Sequence, residues 1–177
     1  MNKQLLAHLA LFAANLIYGI NYTVAKEVMP NYIEPLGFIL VRVTGAVVLF
    51  WLCYTFFYYE KVKKGDLIKL AICGLFGVAI NQMLFFEGLN LTTPINAAVI
   101  MVSNPVLVLL FGIFLATESF STKKGIGVAL GALGAIVLIT NGGQLSLNNE
   151  HFWGNIMVFI NASSYAVYLV LVKPLMQ

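Results

Sequence analysis

The chain repeatedly presents runs of about 20 apolar residues, separated only by short polar breaks, and this pattern excludes most folds. A hydrocarbon layer about 30 Å thick is crossed by roughly 20 residues of helix, so each run is long enough to span it. The runs read as spans at Leu5–Val28, Pro35–Phe57, Leu67–Leu89, Pro94–Leu115, Gly125–Gly142 and Phe152–Leu175. Hydrophobic side chains make up 60% of the 177 residues and charged ones 10%, too little charge to clothe a water-exposed surface. Strands of a membrane barrel alternate apolar and polar residues, whereas Val47–Cys53 and Val106–Leu115 contain no polar residue. The expected fold is an all-α integral membrane protein of about six transmembrane helices.

The net charge of +3 does not indicate nucleic acid, because the basic residues stand beside apolar spans and form no extended face. Lys3 precedes the first span, Lys61, Lys63, Lys64 and Lys69 fall between the second and third, and Lys123 and Lys124 between the fourth and fifth. The opposite loops carry Lys26 but otherwise Glu34, Asn90, Thr92, Asn148 and Glu150. The positive-inside rule then places the amino terminus in the cytoplasm of a bacterial cell, with the protein multi-pass in the inner membrane. Cys53 and Cys73 lie inside spans without metal or redox spacing and read as small packing residues. Lys3 and the apolar stretch after it resemble a signal peptide, but no small-residue cleavage pattern follows, so an uncleaved first span is expected.

Phe12, Tyr18, Lys26 and Met29 correspond at one constant offset to Phe159, Tyr165, Lys173 and Met176. An odd number of crossings separates the two segments, so they run in opposite directions, as in an inverted repeat. The expected organisation is a five-helix unit over residues 1–147 and the first helix of a second unit over 148–177, part of a protein roughly twice as long.

Polar residues inside spans are the candidates for function, because lipid does not solvate them. At 100° per residue, His8, Asn15, Tyr18, Tyr22 and Lys26 lie within about 80° of one another. In the sixth span the corresponding stripe keeps Asn155, Tyr165 and Lys173. Such stripes either bond neighbouring helices or line a watery path. Arg42 lies deep in the second span, where a charge is most costly. It is either a structural partner of Glu87, Glu27 or Glu34, or a group that binds substrate. Gly74, Gly77, Asn81 and Gly88 share one face of the third span, which reads as a packing face in preference to a binding one, with Gln82 pointing elsewhere. Ser103, Asn104 and Pro105 interrupt the fourth span and form either a binding kink or a packed one. Gly127 and Gly131 mark the fifth as a packing helix. Glycosylation-like triplets at Asn21, Asn90 and Asn161 are short, lie mostly at membrane depth and read as accidental. No nucleophile elbow, metalloprotease motif, phosphate-binding loop or paired catalytic carboxylate occurs, so no enzyme activity, catalytic residue, metal or cofactor is expected.

In order, Tyr18-Gly19-Ile20-Asn21-Tyr22, Arg42 with Gly45 and Ala46, Phe85 through Ala98 continuing to Pro105, and Glu118-Ser119-Phe120-Ser121 with Gly125 and Gly131-Ala132-Leu133-Gly134 resemble the EamA-like family of the drug/metabolite transporter superfamily. The resemblance covers the whole chain. It implies a transporter of about ten helices in two inverted five-helix repeats, with a substrate cavity at the repeat interface and alternating access. The chain departs from that pattern in carrying only the first helix of the second repeat. It also lacks the carboxylate that smaller multidrug-resistance relatives hold within their first helix, so their proton exchange is not implied.

The expected function is a secondary transporter exporting small metabolites, with a path lined by Asn15, Tyr18, Tyr22, Arg42, Gln82, Asn104 and Tyr165. The aromatics would stack on substrate and Arg42 would recognise an anionic group. The alternative is a non-transporting membrane scaffold or inactive fragment. Expected partners are a small-molecule substrate, the lipid bilayer, and either a missing second half or another copy of the chain.

Overall fold

The computed structural model describes residues 3–57, 62–115, 117, 121–139 and 151–176. Among the residues used above, Lys61, Glu118, Ser119, Phe120, Gly142, Asn148 and Glu150, and the boundary expected at 147, lie outside this set. The described chain is helical and has no strand, as expected of a backbone that must satisfy its own polar groups in hydrocarbon. Helix α1 covers Lys3–Val28 and α2 covers Pro35–Phe57. A 3-10 turn at Lys64–Asp66 leads into the third span, which joins α3 (Leu67–Gly74), a π turn (Leu75–Ala79) and α4 (Ile80–Leu91). The fourth is divided into α5 (Pro94–Met101) and α6 (Asn104–Phe114), followed by α7 (Thr122–Ile139) and α8 (Phe152–Val172).

Four continuous stretches, Gln4–Val28, Pro35–Phe57, Lys64–Leu91 and Phe152–Leu175, are long and apolar enough to cross a membrane. The pair α5 and α6, bent by 40°, makes a fifth if it counts as one span. The remaining expected span, Gly125–Gly142, falls on α7 (Thr122–Ile139), and its last three residues lie outside the described set.

Proline placement sets where the helices start. Pro94 lies in the first turn of α5, behind an N-cap in which the Thr93 hydroxyl accepts from Asn96 N at 3.1 Å. Pro105 lies in the first turn of α6, where its missing N–H leaves no ladder bond unmade. Helix α5 therefore ends before it, and Ser103 Oγ donates to Ile100 O at 2.6 Å across the break.

The last described helix is the centre of the packing. Helix α8 rests against α3, the π turn, α4, α5 and α6. It crosses α4 where two glycines face each other: a Cβ on Gly154 would lie 2.7 Å from Gly88 O, and one on Gly88 would lie 2.9 Å from Gly154 O. Val158 of α8 joins Ala25, Met29, Phe86, Leu89, Ala97 and Ile100 in the main buried cluster, while Ala162 and Ala166 pack with Leu107. Polar bonds follow the same seam. Thr92 Oγ1 donates to Asn155 Oδ1, Asn161 Nδ2 to Asn81 O and Ser164 Oγ to Phe76 O, each at 2.6 Å. Asn155 of the sixth-span stripe thus serves interhelical bonding. On α7, Gly131 lies against Val106, which a Cβ would meet at 2.6 Å, whereas Gly127 has nothing within 4 Å.

The carboxyl end of α4 is capped from two other elements. Lys26 Nζ donates to Leu89 O at 2.9 Å and to Asn90 O at 2.6 Å, and His151 Nδ1 lies 3.2 Å from Leu91 O. A cation here meets carbonyls that have no helical partner and the negative end of the helix dipole. Lys26→Met is expected to lower unfolding free energy by about 1–3 kcal/mol, and Lys26→Arg by less. Denaturant unfolding in detergent micelles checks both; equal stability of Lys26→Met and wild type would show that the cap is idle.

Helices α1 and α2 lie at the outside, α1 on α4 and α5 and α2 on α4. None of the most apolar 18-residue window of either is buried, against 39% for α8. Phe12, Phe50 and Phe57 point outward, a surface suited to hydrocarbon. Cys73 is buried as expected of a packing residue, but Cys53 is exposed on α2, because no described helix covers that face.

Candidate functional site

A cavity of about 330 Å³ opens among the helices. Asn15, Tyr18, Asn21 and Tyr22 reach it from α1, Arg42 from α2, and Met101 from α5. The third span supplies Gly77, Asn81, Gln82, Phe85 and Phe86, and α8 supplies Asn161 and Tyr165. Six of the seven residues expected along the path, Asn15, Tyr18, Tyr22, Arg42, Gln82 and Tyr165, are therefore gathered around one space. Asn104 is not among its lining residues; it begins α6, with its Oδ1 buried and without a hydrogen-bond partner among the described residues.

Gly77 lies within the π turn and Asn81 and Gln82 just beyond it. A π turn holds more residues than an α turn and re-phases the following helix relative to Gly77, and all three residues line the cavity. Gly77 has a second role, since the Tyr168 ring lies where its Cβ would stand, at 2.7 Å. That ring in turn packs on Tyr165, centroid to centroid 5.6 Å.

An aromatic series forms the adjoining wall. Tyr22 meets Phe85 at 5.1 Å, Phe85 meets Phe86 at 5.0 Å, and Phe86 meets Phe38 at 5.1 Å, all edge to face. The Arg42 guanidinium carbon lies 4.7 Å from the Phe86 ring centre and 5.6 Å from that of Phe38. These rings hold the cation by their π faces without neutralising it. An ion pair joins Lys69 to Asp66 at 3.4 Å, whereas Arg42 forms none with Glu27, Glu34 or Glu87. Arg42 Nη1 is buried and has no hydrogen-bond partner among the described residues. The structural ion pair, one of the two readings open for Arg42, is not formed.

Asn21, Phe85, Phe86, Met101 and Asn161, which the sequence does not mark as path residues, also line the cavity, as does Asn81 from the small-residue face of the third span. For Asn21 and Asn161 a signal was present, because an amide at membrane depth requires a polar neighbour whether or not it belongs to a glycosylation triplet. Nothing local marks the two phenylalanines or Met101.

Long apolar helices around a cavity lined by both polar and aromatic side chains are those of a multi-pass membrane fold. The chain belongs to the EamA-like transporter family, whose profile matches residues 5–140. It is 28% identical over 176 residues to the uncharacterized transporter YyaM of Bacillus subtilis, covering 96% of this chain and 56% of that protein. It is 31% identical over 114 residues to an uncharacterized transporter of Methanothermobacter thermautotrophicus, covering 64% of this chain and 33% of that one. A third relative, the uncharacterized transporter YetK of Bacillus subtilis, is 24% identical over 180 residues, with 99% of this chain and 54% of the relative covered. The chain thus spans about half the length of YyaM and YetK. No solved structure matches the chain significantly.

Proposed function

We propose that this chain forms part of the substrate path of a secondary transporter that exports small metabolites by alternating access. The observation that carries the proposal is the cavity itself: an arginine without a carboxylate partner, amides and tyrosines, gathered from four spans and α5. Membership of a transporter family supports it. In this reading the aromatic side chains stack on substrate and Arg42 recognises an anionic group.

Residues 1–147 are proposed as one five-helix repeat and 148–177 as the opening helix of an inverted second repeat. Support comes from Tyr18 and Tyr165, which share the repeat offset and line the same cavity. A second half, or another copy of the chain, is the proposed partner, and the uncovered outer faces of α1 and α2 are compatible with either. The distribution of lysines supports an inner-membrane location with the amino terminus cytoplasmic.

The test is a metabolite transport screen in vesicles containing the complete polypeptide its gene encodes. It is run on a Gln82→Cys variant in a Cys53→Ser background, before and after treatment with a charged thiol reagent. At least one metabolite is expected to move, and its movement is expected to stop on modification. Transport of nothing, or transport indifferent to a modified residue 82, would leave the protein a scaffold.

A further inference from the structure

Two residues that line the cavity, Arg42 and Asn161, each carry a buried polar atom, a donor on the first and an acceptor on the second, without a hydrogen-bond partner among the described residues. Asn161 is 1% exposed and donates through Nδ2 to Asn81 O at 2.6 Å. That bond fixes the amide's orientation, because a carbonyl can only accept and the flipped amide would set two oxygens against each other. Asn161 Oδ1 is therefore held as an acceptor, and among the described residues it finds no donor. Buried amide oxygens are rarely left in this state.

We infer that Asn161 is a specificity-determining residue of the cavity, and that with Arg42 it selects a small molecule carrying an anionic group and a neighbouring N–H or O–H donor. The inference rests on the cavity being the substrate path and adds the chemistry of what travels along it. The anion meets the guanidinium, the donor meets Asn161 Oδ1, and the apolar remainder lies against Phe85, Phe86 and Met101. The volume of about 330 Å³ is enough for a small metabolite. Selectivity follows from what a wrong ligand leaves behind. An acid without a donor satisfies Arg42 but strands the Asn161 oxygen, and sites built to bond a polar group discriminate strongly against analogues that lack it.

Binding of four matched probes to the complete protein in nanodiscs, measured by calorimetry, tests this. 4-Methylpentanoate carries only the anion, 2-hydroxy-4-methylpentanoate adds an O–H, leucine adds an N–H, and 3-methylbutylamine carries only the donor. The hydroxy acid, leucine or both are expected to bind at least about tenfold tighter than 4-methylpentanoate, with the amine weakest. Asn161→Leu is expected to bring the three acids within about twofold of one another while 4-methylpentanoate keeps its wild-type affinity, which also shows that the variant is folded. Asn161→Ala, which fits more easily, serves where the leucine does not fold. Ser164→Ala removes a neighbouring bond of the same helix outside the cavity lining and is expected to retain the preference. Equal affinity of the three acids in the wild type would overturn the inference. So would uniform weakening of all acids by Asn161→Leu, or loss of the preference in Ser164→Ala. Absence of binding by every acid overturns it as well, and reaches the substrate-path reading only if the transport screen also finds no cargo.

Discussion

Gly154→Leu is expected to prevent the protein from reaching its folded state, and Gly154→Ala to come close to doing so. The first added carbon already lies 2.7 Å from Gly88 O and from Leu91 C, and 2.8 Å from Thr92 N. All three are backbone atoms, which cannot turn aside as a side chain can. Helices α4 and α8 would have to separate, loosening Val158 from the main cluster and stretching the buried Thr92 to Asn155 bond. Overpacking alone costs about 1–3 kcal/mol. Loss of that buried bond adds about 0.5–1.5 kcal/mol. Against a total stability of about 5–15 kcal/mol, that sum removes a large share of the margin, and the longer leucine side chain adds further overlap. Gly88→Ala is expected to be milder, because its contacts are longer, at 2.9–3.0 Å, and one of the three, Val158 Cγ2, belongs to a side chain that can rotate. Gly45→Ala and Gly134→Ala, with nothing within 4 Å, are the neutral controls. Detergent-solubilised yield and thermal denaturation read the series, and a folded Gly154→Leu protein would mean that helices α4 and α8 do not cross at backbone contact.

The second large effect is functional. Arg42→Ala is expected to abolish transport while insertion stays intact and stability changes by no more than about 1 kcal/mol. Three magnitudes decide this. An arginine inside a membrane helix costs about 2.5–3.5 kcal/mol on insertion scales, so its removal is a relief. The lost contacts with Phe86 and Phe38 are worth up to about 2 kcal/mol when desolvated. Breaking a buried ion pair would cost about 3–5 kcal/mol, but no such pair is formed among the described residues. The first two effects nearly cancel. Transport by Arg42→Ala vesicles at the wild-type rate would remove the residue from the site, and a destabilised variant would restore the structural reading.

The spans could be read from the sequence because apolar length is a one-dimensional property, and Pro105 marked the break in the fourth span for an equally local reason. The polar residues of the path were legible as exceptions within apolar runs, so Tyr18, Arg42 and Tyr165 stood out. What could not be read depends on neighbours far along the chain. Gln82 shares the cavity with Asn81 because helices distant in sequence surround both, and Ser164, 88 positions from Phe76, bonds a carbonyl within the π turn. Whether Arg42 had met a carboxylate depended on where Glu87 came to lie. Asn161 looked like a stray triplet because nothing nearby indicates that half of its amide is engaged 80 residues away. Hydropathy, which is comparable among the spans, also does not tell which of them lies in the middle.

That the middle position belongs to α8 has a temporal consequence. A ribosome makes roughly 5–20 residues per second, so several seconds separate the emergence of Asn81 from that of Asn161. Through that interval Asn81 O, Phe76 O and the Thr92 hydroxyl sit in the bilayer without the partners that α8 later brings. The seam therefore cannot close until α8 has been made, whatever the order in which the earlier helices meet.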